Sequence, residues 1–277
     1  MSENNPLKLY FRKPGIWIKL PSAGKFYKEA PADFNDMGEI PVYPMTAKDE
    51  LIMKNADALL NGSAINQLIA SCAPSITDPD NMPAIDLDAI LLAIRRATYG
   101  ENLEIDSQCS HCKASNSNML NLNHFISTIT TIDVKDPINL DGIEVFIKPV
   151  NVKQLLSLNW VQYEQVRNIQ LAEQNNIDER EKVNILQAGY TALTNKNMEI
   201  ISSCIDTVLL PDGVSVTDPA NIREWAEQLS QPDFKKIELA IMSLAAQGIK
   251  KDFTINCGSC HEDYESSLDL NPTTFFV

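Results

Sequence analysis

Four of the six cysteines stand in two CxxC pairs, Cys109-Ser110-His111-Cys112 and Cys257-Gly258-Ser259-Cys260. A CxxC turn presents two sulfurs from one tight loop, and its backbone N–H groups can stabilise thiolates. Structural zinc takes four such ligands in a tetrahedron, so one pair cannot close a site and two can. The expectation is one structural Zn2+ held by Cys109, Cys112, Cys257 and Cys260. A competing arrangement has two separate sites completed by His111, His124 or His261. A redox CxxC needs a βαβ context, whereas these pairs read as hairpin tips. Catalytic zinc needs an open coordination position and a general base, which a four-cysteine set does not leave. Cys72 and Cys204, on apolar helical faces, read as small core residues.

No other catalytic signature accompanies the cysteines. GxxxxGK[ST], GxGxxG and GxSxG patterns are absent, and ten glycines in 277 residues disfavour a phosphate cradle. Asp78/Asp80 and Asp212/Asp218 lie in proline-bearing loops, where aspartate is a turn former. The expectation is a protein that is not an enzyme and has no small-molecule substrate. The formal net charge of −14 argues against nucleic acid, which needs clustered Lys and Arg. No run nears the roughly 18 apolar residues of a membrane span, and the N-terminus lacks a secretory pattern. A soluble protein made in a reducing cytoplasm is expected, its cysteines free for metal or core.

The elements that would position the cysteines occur twice. Ile40-Pro41-Val42-Tyr43-Pro44-Met45 and Ile143–Val150 both read as a strand stopped by proline. Thr46 and Asn151 follow two residues later as helix N-caps. Ile69–Ala73 matches Ile201–Ile205, each with a central cysteine, and both lead to proline- and aspartate-bearing loops at 74–83 and 211–219. Apolar helices follow at Leu87–Ile94 and Ile237–Leu244. They end at Gly100 and Gly248, where a C′ glycine belongs, and each glycine stands nine residues before its first knuckle cysteine. Alternating residues enter each knuckle, and Leu120-Asn121-Leu122-Asn123 matches Leu268-Asp269-Leu270-Asn271 after it.

The spacing predicts an α+β, mainly helical fold. It has two duplicated helical halves, each ending in a β-hairpin zinc knuckle, joined at a shared zinc site. The expected organisation is a basic N-terminal arm (1–37), a first repeat (38–135) and a second repeat (136–277). Pro44 to Cys72 is 28 residues and Pro149 to Cys204 is 55, so the second repeat carries an insertion, placed at about 157–195. Its stretch Glu173–Arg180 reads as an exposed tip between paired helices.

Residues 1–28 hold Lys8, Arg12, Lys13, Lys19, Lys25 and Lys28 against Glu3, a local charge of +5, which leaves −19 on the remainder. Ile16–Leu20 alternates, Pro21-Ser22-Ala23-Gly24 turns, and Phe26-Tyr27 follows. The segment reads as a strand and turn with Phe26 or Tyr27 anchored in the core. It also reads as a basic, aromatic docking surface formed by Trp17, Lys19, Lys25, Phe26 and Tyr27. Pairing of this segment with the chain's own acidic body is the alternative.

The block Leu20–Tyr27, the run Ile40–Glu50, Cys72, and the stretch Arg95–Gly100 before a CxxC resemble the T4-type phage baseplate protein family over about the first 130 residues. That resemblance implies a structural or assembly protein of the baseplate hub of a contractile tail, whose partners are other baseplate and hub proteins. It places the protein in the host cytoplasm during assembly or in the tail baseplate of the virion, and it carries no catalytic residues. A zinc-ribbon adaptor in nucleic-acid or transcription machinery and a metallohydrolase are the readings from other classes. The first is disfavoured because Glu262, Asp263 and Glu265 flank the second knuckle.

Overall fold

Capping residues and prolines divide the chain as their local chemistry requires. The computed structural model describes residues 6–55, 58–59, 62–134, 136–174, 178–271 and 275–276. After a 3-10 turn (Pro6–Tyr10), β1 (Ile16–Lys19) pairs antiparallel with β2 (Glu39–Val42), Ile18 facing Ile40. The inward members Ile18, Ile40 and Val42 are buried, as period-two alternation demands. The strand of the basic segment is thus hydrogen-bonded into the body.

Helix α1 (Ala47–Met53) begins in a reciprocal capping box. Asp49 N donates to Thr46 Oγ1 at 3.3 Å, and Thr46 N donates to Asp49 Oδ2 at 2.7 Å. Helix α5 (Val152–Gln174) begins in the same way. Gln154 N donates to Asn151 Oδ1 at 2.8 Å, and Asn151 N donates to Gln154 Oε1 at 3.0 Å. Two further parallels connect the elements around them. Tyr43 N donates to Cys72 O at 2.7 Å and Lys148 N to Cys204 O at 2.8 Å. Ser71 Oγ meets Asp49 Oδ2 at 3.0 Å, and Gln154 Nε2 meets Ser203 Oγ at 2.6 Å.

Helices α2 (Ser63–Cys72) and α3 (Ile85–Tyr99) complete the first core. Leu87 and the run Ala89–Ile94 of α3 are buried, which marks a helix packed on nearly every side. Gly100, at φ +93°, ends it. The hairpin β3 (Asn102–Gln108) and β4 (Ser115–Asn121) follows, then the short helix α4 (Leu122–Ser127).

The second half is built on a four-stranded antiparallel sheet in the order β5 (Ile138–Leu140), β6 (Ile143–Ile147), β7 (Ile205–Leu209), β8 (Ser215–Val216). Asp141 and Gly142, both at positive φ, make the two-residue turn between β5 and β6, a hairpin signal in plain view in the sequence. Between β6 and β7 stand α5 and α6 (Glu179–Ser203), which pack together as a pair. Of the expected tip Glu173–Arg180, residues 175–177 lie outside those described. Helices α7 (Pro219–Glu227) and α8 (Gln231–Ala245) start with proline in the first turn, capped by Asp218 and Ser230. The hairpin β9 (Asp252–Asn256) and β10 (Asp263–Ser267) follows.

The halves differ where their sequences differ. After Cys204 the β-branched run Ile205, Thr207, Val208 continues as β7, a strand that the expected helix at Ile201–Ile205 and loop at 211–219 did not include. After Cys72 come Ala73 and Pro74, and proline cannot donate to a ladder. Helix α7 was likewise not anticipated; its apolar residues Ile222 and Ala226 are few but buried.

Two large apolar clusters and one small one result. The first surrounds α3 and also takes in Val152, Ile249, Leu268, Leu270, Phe275 and Phe276 from beyond residue 135. The second lies between the four-stranded sheet and α7 and α8, with Val145, Val208, Ile222 and Ile237 at its centre. The third joins the two CxxC hairpins.

Candidate metal centre

Each knuckle is a hairpin tip closed by the same hydrogen bonds. In the first, Cys109 N donates to Ala114 O at 2.9 Å and Lys113 N to Cys109 O at 3.0 Å. In the second, Cys257 N donates to Glu262 O at 3.0 Å and His261 N to Cys257 O at 2.9 Å. Lys113 and His261 both adopt left-handed backbone, at φ +62° and +60°, a conformation uncommon for residues other than glycine. A side-chain amide secures each one. Gln108 Nε2 donates to Lys113 O at 3.1 Å, and Asn256 Nδ2 donates to His261 O at 3.0 Å.

These turns aim four sulfurs at one point. The Sγ atoms of Cys109, Cys112, Cys257 and Cys260 all lie within 4.8 Å of one another. Two contacts cross between hairpins, Cys109 to Cys260 at 3.8 Å and Cys112 to Cys257 at 3.6 Å. A tetrahedron with metal–sulfur bonds of about 2.3 Å has edges of roughly 3.8 Å, so the donor set fits a thiolate-bound metal ion. Cys109 and Cys257 are buried against Ile255 and Tyr264, while Cys112 is exposed and Cys260 half-buried.

The two thiols of the second knuckle are shifted in opposite directions. Backbone N–H groups of Cys260 and Ser259, helped by Asn116 and Cys112, bring the Cys257 thiol down to about 6. At Cys260 the Glu262 backbone acts in the same direction. Burial and the sulfurs of Cys112, Cys257 and Cys109 outweigh it and push that thiol up to about 12. A divalent ion held by these four residues would offset repulsion between thiolates.

Residues the sequence reading did not single out complete the surroundings. Asn116, on β4, donates from Nδ2 to Cys257 Sγ at 3.6 Å, and its Oδ1 accepts the Gly258 N–H at 3.0 Å. Tyr264 and Ser107 pair their hydroxyls at 2.7 Å across the hairpins. No spacing rule points to such polar residues on a strand face. His111 contacts the Asp263 carbonyl at 3.2 Å through Nε2, and His124 stacks edge-on against Phe125. Neither belongs to the sulfur cluster.

The other two cysteines are buried thiols. Burial, with Asp49 adding to it, pushes Cys72 up to about 11, and burial pushes Cys204 up to about 12.

In the basic segment, Trp17 is 42 % exposed, Lys19 and Lys25 are exposed, and Phe26 is half-buried at φ +66°. Tyr27 turns inward and donates its hydroxyl to buried Asp86 at 2.7 Å. Arg12 also serves the fold. It donates to Pro44 O at 2.6 Å and to Ser71 Oγ at 3.0 Å, and lies 3.7 Å from Asp49.

Fold and site together define a mixed α/β protein with small antiparallel sheets and a four-cysteine centre that could hold a metal ion. The chain belongs to the family of T4 bacteriophage base plate proteins, whose model matches residues 14–277, nearly the whole length. No curated protein matches it, and neither does any solved structure. Among the described residues no helix is long and apolar enough to cross a membrane.

Proposed function

We propose that this protein is a non-enzymatic structural or assembly component of a contractile phage tail baseplate, acting on the hub through protein–protein contacts and stapled internally by one zinc ion. The observation that carries the zinc reading is the convergence of four sulfurs from two hairpins whose knuckles stand 148 residues apart, Cys109 to Cys257. Zinc suits an all-thiolate tetrahedron, and a set closed by four cysteines leaves no position for substrate. The ion would contribute folding free energy where the apolar cluster between the hairpins is too small to hold them alone.

The staple reading goes with a duplicated chain. Equivalent capping boxes at Thr46 and Asn151 support duplication, as do equivalent backbone bonds to Cys72 and Cys204 and matched knuckle turns. The side-chain contact beneath each box has diverged. Asp49 accepts from Ser71 and is balanced by Arg12, whereas neutral Gln154 donates directly to Ser203 and needs no arginine. Trp17, Lys19, Lys25 and Phe26 form the outward, partner-facing part of the basic segment, with Tyr27 as its anchor. Partners are other baseplate or hub proteins, met in the host cytoplasm during assembly or in the virion tail.

Metal analysis of the purified wild type and of Cys109→Ser and Cys257→Ser tests the staple. One zinc per chain is expected in the wild type and a loss in each variant. A full equivalent with unchanged stability in both variants would defeat the shared site. Pull-down with tail proteins, alongside mass spectrometry of purified particles, tests the assembly role. No recovery with any tail protein and absence from particles would defeat that.

A further inference from the structure

The α5–α6 hairpin is far longer than the α1–α2 segment that runs between the matching capping box and cysteine in the first half, and neither the metal centre nor the basic segment uses it. Its seam is tight. The Gln165 side chain packs directly over Gly189, and Gln165 is buried there. The outer surface of α6 is unusual for an exposed helix. Residues 183–195 contain no charged side chain, although the chain as a whole carries −14. Val183, Leu186 and Tyr190 stand on it at i, i+3 and i+7, 57 %, 37 % and 68 % exposed, so they share one helical face. A shallow groove runs along that face between Val183 and Asn195.

Charge indicates what covers it. Residues 152–203 hold five basic and six acidic side chains, a net charge of −1, so nearly all of the chain's excess acid lies elsewhere. Two copies of this protein repel over most orientations and least where their hairpins meet. A neutral apolar face is also complementary to itself, as a twofold contact requires. The uncharged stretch 183–195 is about 20 Å long, so the α6 face supplies the apolar centre of a contact whose remaining area, toward the roughly 800 Å² per partner of a stable interface, comes from the flanking hairpin surface. We propose that the occupant is a second copy of this chain, with the two hairpins joined about a twofold axis near Leu186 and Gln187 that sets Val183 of each copy against Tyr190 of the other.

The test is light scattering with sedimentation on the full, metal-loaded chain at concentrations up to about 100 µM. A dimer is expected. It should tighten as salt rises from about 50 to 300 mM, because screening removes the repulsion between acidic bodies. The variant Leu186→Glu/Tyr190→Glu should be monomeric, with wild-type far-ultraviolet dichroism and metal content. Lys19→Glu/Lys25→Glu should remain dimeric. A wild type that stays monomeric at every concentration overturns the proposal. So does a dimer that salt weakens, which is the signature of the basic segment docking on an acidic surface. A folded double-glutamate variant that is still dimeric overturns it as well. Should that variant misfold, Gln187→Glu, a change to one solvated residue near the axis, should weaken the dimer at least about tenfold, and an unchanged dimer would count equally against the proposal.

Discussion

Asn116 accepts the Gly258 N–H at 3.0 Å, so a strand residue of the first hairpin completes the knuckle of the second. The same amide reaches Cys257 Sγ at 3.6 Å. Asn116 therefore positions the second knuckle and favours the charged form of Cys257, and neither job is visible from the four cysteines alone.

Asn116→Asp separates the two roles. The carboxylate still accepts from Gly258, but it loses the N–H aimed at sulfur and adds a negative charge beside the thiolates. Outer partners of metal ligands typically contribute about 10–100-fold in affinity, and a loss of that size is expected in competition with a chromophoric chelator. Affinity equal to wild type would show that the amide is incidental.

Asp86 sets a pH dependence. Its carboxyl is fully buried and accepts from Ser22 N at 2.8 Å, Ser22 Oγ at 2.5 Å and Tyr27 Oη at 2.7 Å. Burial outweighs these bonds and raises its pKa to about 6. A carboxyl raised in the folded state is stabilising when protonated. Its contribution is complete below the unfolded value of about 4 and is lost as pH climbs through about 6. Asp86→Asn keeps an acceptor for Ser22 N and cannot ionise. Urea midpoints of the wild type should fall relative to this variant between about pH 4 and 7; identical slopes would rule Asp86 out as the cause.

Gly189 carries a packing prediction against the usual propensity rule. Gly→Ala inside an exposed helix ordinarily stabilises by about 1 kcal/mol. Here the new methyl would occupy the space of the Gln165 amide, which has little room to move. Gly189→Ala is expected to destabilise by about 1–2 kcal/mol, and adding Gln165→Ala should recover part of the loss. Thermal unfolding of the two variants measures this, and a more stable single variant would refute the close seam.

What was legible in the sequence was local. Thr46 and Asn151 announced helix starts because a cap is a bond between residues three apart. Gly100 announced a helix end because it caps α3 at positive φ, whereas α8 already ends at Ala245 and Gly248, also at positive φ, lies beyond its Ala246 cap. β7 was missed because Cys204 and Cys72 look alike while the residues after them decide between strand and turn. The central helix α3 was readable from its apolar run, yet nothing in that run said that Phe275 and Phe276 would pack with it.

By itself, then, the sequence determined the two knuckles, their equal approach from a glycine, and the residue types that suit a thiolate-bound metal. These depend on bonding and backbone geometry within a few residues. Only the tertiary structure decided that the knuckles meet, that Asn116 joins one to the other, that Arg12 balances Asp49 while Gln154 needs no partner charge, and that the α5–α6 pair leaves a neutral face outward. Each of these is set by which distant surfaces bury one another, and no periodicity in the chain encodes that.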